Sequence, residues 1–141
     1  MNYTPDLIES KYHISVAKRM INSYKEFPDK RFVVGIINET AKAVIKMIKT
    51  FLILERTSGG IPTFSKKIAP KYLTKLQTEH IIKILKVHQA QKSSPIEFKK
   101  QEKIILLIDN KYQILTIERL IEFVNSVENS INKLSAICRQ L

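Results

Sequence analysis

Few residues in this chain carry side chains able to do acid–base, nucleophilic or metal chemistry, and they are scattered. There are three histidines, His13, His80 and His88, and one cysteine, Cys138. No histidine stands with a second histidine or a carboxylate at a metal-binding spacing. His80 and His88 could share a helix face, but two turns put them about 12 Å apart at 1.5 Å per residue, too far for joint ligation. They read as interior or surface histidines. Cys138 has no histidine near it in sequence and falls on an apolar stripe, so it reads as a buried thiol and not as a nucleophile. Gly59-Gly60 lacks the surrounding glycines of a phosphate loop and reads as a helix stop. Glu39 lies on a mostly apolar helix and needs a partner; Lys42 and Lys46 can supply one locally. No catalytic residue, metal or cofactor is therefore expected.

What remains is charge. The chain has 24 Lys+Arg against 13 Asp+Glu, a net charge of +11. Residues 1–65 hold 10 basic and 6 acidic side chains, residues 66–105 hold 10 and 3, and residues 106–141 hold 4 and 4. An excess gathered in one third of a chain predicts a basic face for an acidic partner. The candidates are Lys66, Lys67, Lys71, Lys75, Lys83 and Lys86, continuing through Lys92, Lys99, Lys100 and Lys103. A second stripe is Lys42, Lys46 and Lys49. Lysines contact phosphates as point charges without reading sequence. Phe64, Tyr72 and Phe98 could stack on unpaired bases, but core packing is the preferred reading. The competing reading of the lysines is plain solvation of helix faces. No zinc finger or helix-turn-helix pair is present.

The elements that must position these groups are mostly helices. Gly (3) and Pro (5) are sparse over 141 residues, which favours long regular elements. The first helix opens on Thr4 as cap with Pro5 and Asp6 behind it, and Tyr3 and Ile8 are placed for a hydrophobic staple. Ile14, Ala17, Ile21, Tyr24 and Phe27 mark its buried face, and Pro28 ends it. The second runs from Asp29 to about Arg56. Val33, Ile37, Ala41, Val44, Ile48, Phe51 and Leu52 make its main face, and Val34, Ile36, Ile45 and Ile53 put apolar groups on others. A helix apolar on most sides is either central or at an oligomer interface. Residues 57–62 are a loop, and residues 63–70 are ambiguous, with a short helical turn as one reading.

The third helix covers about Lys71 to Gln91, with Leu73, Leu76, His80, Ile84 and Val87 inward. Lys103 to Ile108, a turn at Asp109-Asn110-Lys111 and Tyr112 to Leu115 read best as a small β-hairpin, with continued helix as the alternative. The fourth helix begins at Thr116 as cap. Ile117, Leu120, Val124, Val127, Ile131, Leu134 and Cys138 step along it by three and four. The expected fold is mainly α: one domain over residues 1–141, an up-and-down four-helix bundle with a small hairpin between helices three and four.

One cysteine allows no internal disulfide and no zinc site built on paired cysteines, so a cytoplasmic location is the default. Residues 1–9 show no secretory signal. The apolar-rich stretch 32–54 is interrupted by Asn38, Glu39, Lys42, Lys46 and Lys49, which argues against a membrane span.

The first two helices carry a resemblance. The run His13-Ile14-Ser15-Val16-Ala17-Lys18-Arg19-Met20, a short Pro-Asp loop, and Gly35-Ile36-Ile37-Asn38-Glu39-Thr40-Ala41-Lys42-Ala43-Val44 resemble the start of a HEPN-type domain (higher eukaryotes and prokaryotes nucleotide-binding). That resemblance covers about residues 10–56. It implies a bundle of four or five helices, often dimeric, in a family with many RNA-cutting toxins and partners of small nucleotidyltransferases. The ribonuclease members carry an Arg followed four to six residues later by a His near the last helices. No Arg here is followed by a His at that interval, and no His follows His88, so no catalytic residue carries over.

The expected function is a non-enzymatic binding module, homodimeric through helix two, with a basic face for RNA, a nucleotide or an acidic protein. The alternatives are a nucleic-acid-acting enzyme of ribonuclease-toxin type and an antitoxin-like structural partner.

Overall fold

A computed structural model describes residues 3–93, 96–99 and 102–141. Four long helices form the body: α1 (Thr4–Glu26), α2 (Lys30–Leu54), α5 (Lys75–Ser93) and α6 (Ile117–Arg139). Between α2 and α5 the chain winds through α3 (Ile61–Thr63), a π turn (Phe64–Ile68) and α4 (Ala69–Tyr72). Between α5 and α6 lie β1 (Glu97–Lys99), β2 (Lys103–Ile108) and β3 (Lys111–Thr116), an antiparallel sheet in the order β1-β2-β3. The architecture is the expected up-and-down four-helix bundle with a hairpin between its last two long helices. The third strand, β1, was not anticipated.

Helix α1 pairs antiparallel with α2 through Ser10, whose hydroxyl donates to the Ala43 carbonyl at 2.8 Å. Nearby, Gly35 lets the Met20 thioether lie against the α2 backbone, since a Cβ there would meet its sulfur at 2.7 Å. Leu7, Ile14, Ala17, Ile21 and Tyr24 face inward as the spacing required. Phe27, expected with them, is 72% exposed. It is the C-cap, extended at φ −132° and ψ 92° before Pro28, and that turn carries its ring off the helical face. The start of α1 also differs. Its first bond runs from the Leu7 N–H to the Tyr3 carbonyl, so Tyr3 and not Thr4 is the N-cap. The Tyr3 hydroxyl reaches the Cys138 carbonyl of α6 at 3.3 Å, while Ile8 is exposed, so the staple is not formed.

Helix α2 starts where expected. The Asp29 side chain accepts from the Arg31 N–H at 2.8 Å, and the Arg31 guanidinium closes on the same carboxylate. That pairing holds the Asp29 carboxyl down to about 2. Val33, Ile36, Ile37, Ala41, Val44, Met47 and Phe51 are buried because α2 packs against α1, α5, α6 and the π turn. Its all-round apolarity is thus used within the chain. Ile45, 40% exposed, is the one large apolar side chain of α2 left open.

The ambiguous residues 63–70 are helical. Pro70 brings no N–H to the ladder, and the turn ahead of it widens, with the Ala69 N–H bonding to the Phe64 carbonyl five residues back. This places Phe64, fully buried, 5.6 Å from Phe51, and Tyr72 5.5 Å from Phe51 on another side. Phe64 is core and cannot stack on a base, while Tyr72 is half-buried against the core with one side on Phe51.

Helix α5 begins later than the lysine pattern implied. Thr74 and Gln77 form a reciprocal capping box at 3.0 and 3.1 Å, a Thr-x-x-Gln signature. Leu73 turns in from the extended segment ahead of it, and Leu76, expected inward, is 59% exposed. His80, Ile84 and Val87 are buried as expected. Helix α6 matches its reading throughout: Thr116 caps it by accepting from the Arg119 N–H at 3.1 Å, and every residue of its named stripe is buried.

The sheet covers the α5–α6 side. Ile104, Leu106 and Ile108 of β2 alternate inward with Leu115 of β3. Asp109 and Asn110 make the turn with φ of 51° and 63°, both left-handed, as a tight two-residue hairpin of this twist requires.

Candidate nucleic-acid interface

The lysines expected to form one face fall into three sets. The first is a cap at one end of the bundle. From Arg56 to Thr78 the chain carries Arg56, Lys66, Lys67, Lys71 and Lys75 and no acid. This run joins the end of α2 to the start of α5, so its charges crowd one end. Phe64 and Ile68 anchor the π turn inward, and Lys66 and Lys67 between them point to solvent. Lys71 is drawn to Glu55 at 3.1 Å. Lys66, Lys67 and Lys75 have no ion-pair partner among the described residues. Lys75 occupies the first turn of the 19-residue α5, which has no acid there, so it adds to the positive end of the helix dipole. Lys133 of α6 joins the cap by donating to Gln77 at 3.0 Å.

The second set is the α2 stripe, and its middle lysine is neutralised. Lys46 sits 3.4 Å from Asp6 and 2.7 Å from Glu9, both on α1. Those contacts raise the Lys46 pKa and lower that of Glu9. Glu39 is held by His13 across the α1–α2 groove at 2.6 Å, with Lys42 only at 3.8 Å. The local lysines were expected to be its partners; Lys42 is one at longer range, Lys46 is drawn to α1, and the antiparallel register of α1 brings a closer histidine. Lys49 stays exposed on this face.

The third set lies beside the sheet. Lys86 pairs with Asp109 at 3.4 Å. Lys83 was expected on the outer side of its helix but is half-buried under the sheet, its ammonium donating to Gln113 of β3. Lys92 and Lys103 are exposed. The side chains of Phe98 and Lys99, and Lys100 as a whole, lie outside the described residues.

Sequence reasoning missed Arg56 and Lys133 as members of the cap. The signal for Arg56 was the acid-free run that begins with it. Lys133 had none, because its place depends on α6 packing beside α5.

The remaining reactive groups have structural surroundings. The buried His80 ring lies 5.0 Å from Phe123, and its Nδ1 meets the Ser126 hydroxyl. Its Nε2 has no partner among the described residues, so no acid orients the ring as a base activating a nucleophile would need. Burial, then Arg119, lowers the His80 pKa. His88 is lowered by burial, then by Lys92 and Lys42. Burial raises the Cys138 thiol, away from the thiolate a nucleophile needs. Among the described residues no three His, Cys, Asp or Glu gather as a metal site, and no helix is long and apolar enough to cross a membrane.

No protein-family model matches this chain, and no curated protein or solved structure does either.

Proposed function

We propose that the chain is a non-enzymatic binding module that uses the basic cap to hold the phosphate backbone of RNA. The observation that carries this reading is the run Arg56 to Thr78, with five cations and no acid. In the α2 stripe, by contrast, Lys46 meets two acids of α1 and Lys42 lies 3.8 Å from Glu39 of its own helix. Phosphate contact by lysine is sequence-independent, and Phe64 is buried in the core, so the binding is expected to be non-specific. Kinship with HEPN-type domains is proposed on the residues of the first two helices alone. Self-association is part of the same proposal. Through α2 it would rest on Ile45, and light scattering at high micromolar concentration reads it directly.

The test is fluorescence anisotropy with a single-stranded RNA over a salt series. Four phosphate contacts give a slope of log affinity on log salt near about −3, since each contact on a single strand contributes about −0.7. Replacing Lys66, Lys67 and Lys75 by Ala removes about 2 from that slope and leaves the circular dichroism of the bundle unchanged. Flat, weak binding at every salt concentration overturns the RNA reading and leaves an acidic protein as the partner class. RNA cut during the incubation would favour the ribonuclease alternative.

A further inference from the structure

Away from the cap, a cavity of about 220 Å³ opens between the sheet and helices α5 and α6. Lys83 enters it from α5, Gln113 from β3 and Arg119 from the first turn of α6. The other six lining residues are apolar, Leu106, Leu115 and Phe123 among them, and no acid lines the cavity. Lys83 lies about 12 Å along the α5 axis from Lys75 of the cap, eight residues at 1.5 Å each. The two places are separate.

Lys83 is the anomaly here. A cation withdrawn from water needs a counter-charge or a full set of hydrogen bonds. Lys46, 28% exposed, has two carboxylates. Lys83, also half-buried, has the neutral amide of Gln113. Burial, then the neighbouring Lys86, presses its pKa down. The acids in the vicinity are committed elsewhere, Asp109 to Lys86 and Glu122 to Arg119. Arg119 adds a second cation at the cavity mouth. Its guanidinium lies 5.1 Å from the centre of the Phe123 ring, a stacking distance that fixes its plane. One cation without a carboxylate partner, a second that Glu122 already pairs, and an amide converge on an apolar chamber whose own lining holds no acid.

We propose that this cavity binds a small aliphatic carboxylate. The head group sits between Lys83, Arg119 and the Gln113 amide, and the hydrocarbon body lies along Leu106, Leu115 and Phe123. Size and lining select this class. The chamber is below the roughly 300–1,000 Å³ of sites for drug-sized ligands, so a nucleotide does not fit inside. A bare inorganic anion would leave the apolar walls unused. This inference does not rest on the RNA reading.

The probe is hexanoate, titrated into the full chain at constant ionic strength and followed by the Gln113 side-chain amide in ¹H–¹⁵N spectra. The expected result is saturable binding, at least about tenfold tighter than acetate, which lacks the body, 1-hexanol, which lacks the charge, or inorganic phosphate. Lys83→Met weakens hexanoate at least about tenfold. In chloride alone it melts no lower than the parent, because an uncompensated charge has gone. If Lys83→Met fails to fold, Arg119→Gln reads the same loss of hexanoate binding. The triple Ala variant at Lys66, Lys67 and Lys75 keeps hexanoate affinity, which separates this result from the RNA test. Hexanol or phosphate binding as tightly as hexanoate, no saturation, or undiminished binding in folded Lys83→Met or Arg119→Gln overturns the proposal.

Discussion

At the scale of single residues, His80 shows how a side chain on a correctly read face can carry a consequence that its spacing does not reveal. Its inward position follows from a three- and four-residue rhythm along α5. The rhythm says nothing of the Ser126 hydroxyl on Nδ1 or the unpartnered Nε2, both of which depend on α6 lying alongside. The folded pKa of His80 is depressed, so the unfolded chain takes up its proton first as pH falls. Stability is therefore full above the unfolded value of about 6.5 and drops below it, by up to about 1.4 kcal/mol per pH unit. His88, depressed for the same first reason, adds to the slope. Thermal melts between pH 8 and pH 5 should show the fall, and His80→Leu should flatten it. A parent melting temperature independent of pH across that range would refute the assignment. Lys83 and Glu39 teach the same lesson from the other side. Both were assigned partners or surroundings from their own helix, and both have their nearest partner on another element, β3 for the lysine and α1 for the glutamate, although Lys42 also reaches Glu39.

At the scale of elements, chemical punctuation marked some boundaries truly, misplaced the start of α1 by one residue at Thr4, and was overlooked at Thr74. Asp29 and Thr116 cap the helices they were expected to cap, because a side-chain oxygen one residue ahead of an apolar rhythm has a definite job. Thr74 and Gln77 make an equally good signature, and it was obscured by Lys71 and Tyr72, which continue the lysine and apolar pattern upstream across Leu73. The hairpin was readable from the β-branched run and the Asp-Asn turn. The turn gives a sharp test. Asn110 sits at φ 63°, where a residue with a Cβ and no polar side chain is strained by roughly 1–2 kcal/mol. Asn110→Ala should lower stability by about that amount in urea denaturation, and Asn110→Gly should not. Equal losses in the two variants would mean that the asparagine side chain, and not the backbone conformation, holds the turn. The sheet keeps its outer side apolar, with Leu107 opposite Tyr112 and Ile105 opposite Ile114. No periodicity argument assigned those residues to a face exposed to water.

At the scale of the whole molecule, the four-helix order was legible and the distribution of charge was not. Counting residues located the excess correctly in the middle third but treated it as one surface. Folding divides it between an end cap and a half-buried pocket, because the sheet lowers itself over Lys83, while in the separate α2 stripe α1 carries two acids to Lys46. Net charge over a window therefore predicts field only where the window stays on one side of the fold, as the run from Arg56 to Thr78 does.

The Tyr3 hydroxyl on the Cys138 carbonyl has a topological consequence. An up-down-up-down order returns the last helix to the first, so the chain could be closed into a ring. A Gly/Ser linker of about six residues spans roughly 13 Å, which suits helices whose outer ends the Tyr3–Cys138 contact holds together. Reopening the ring between Gly59 and Gly60, both exposed, would give a circular permutant in which α5 and α6 precede α1 and α2. It should recover the helical circular dichroism and unfold in one cooperative step. A permutant that stays unfolded would mean that the α1–α2 pair must be made before the other two helices can dock.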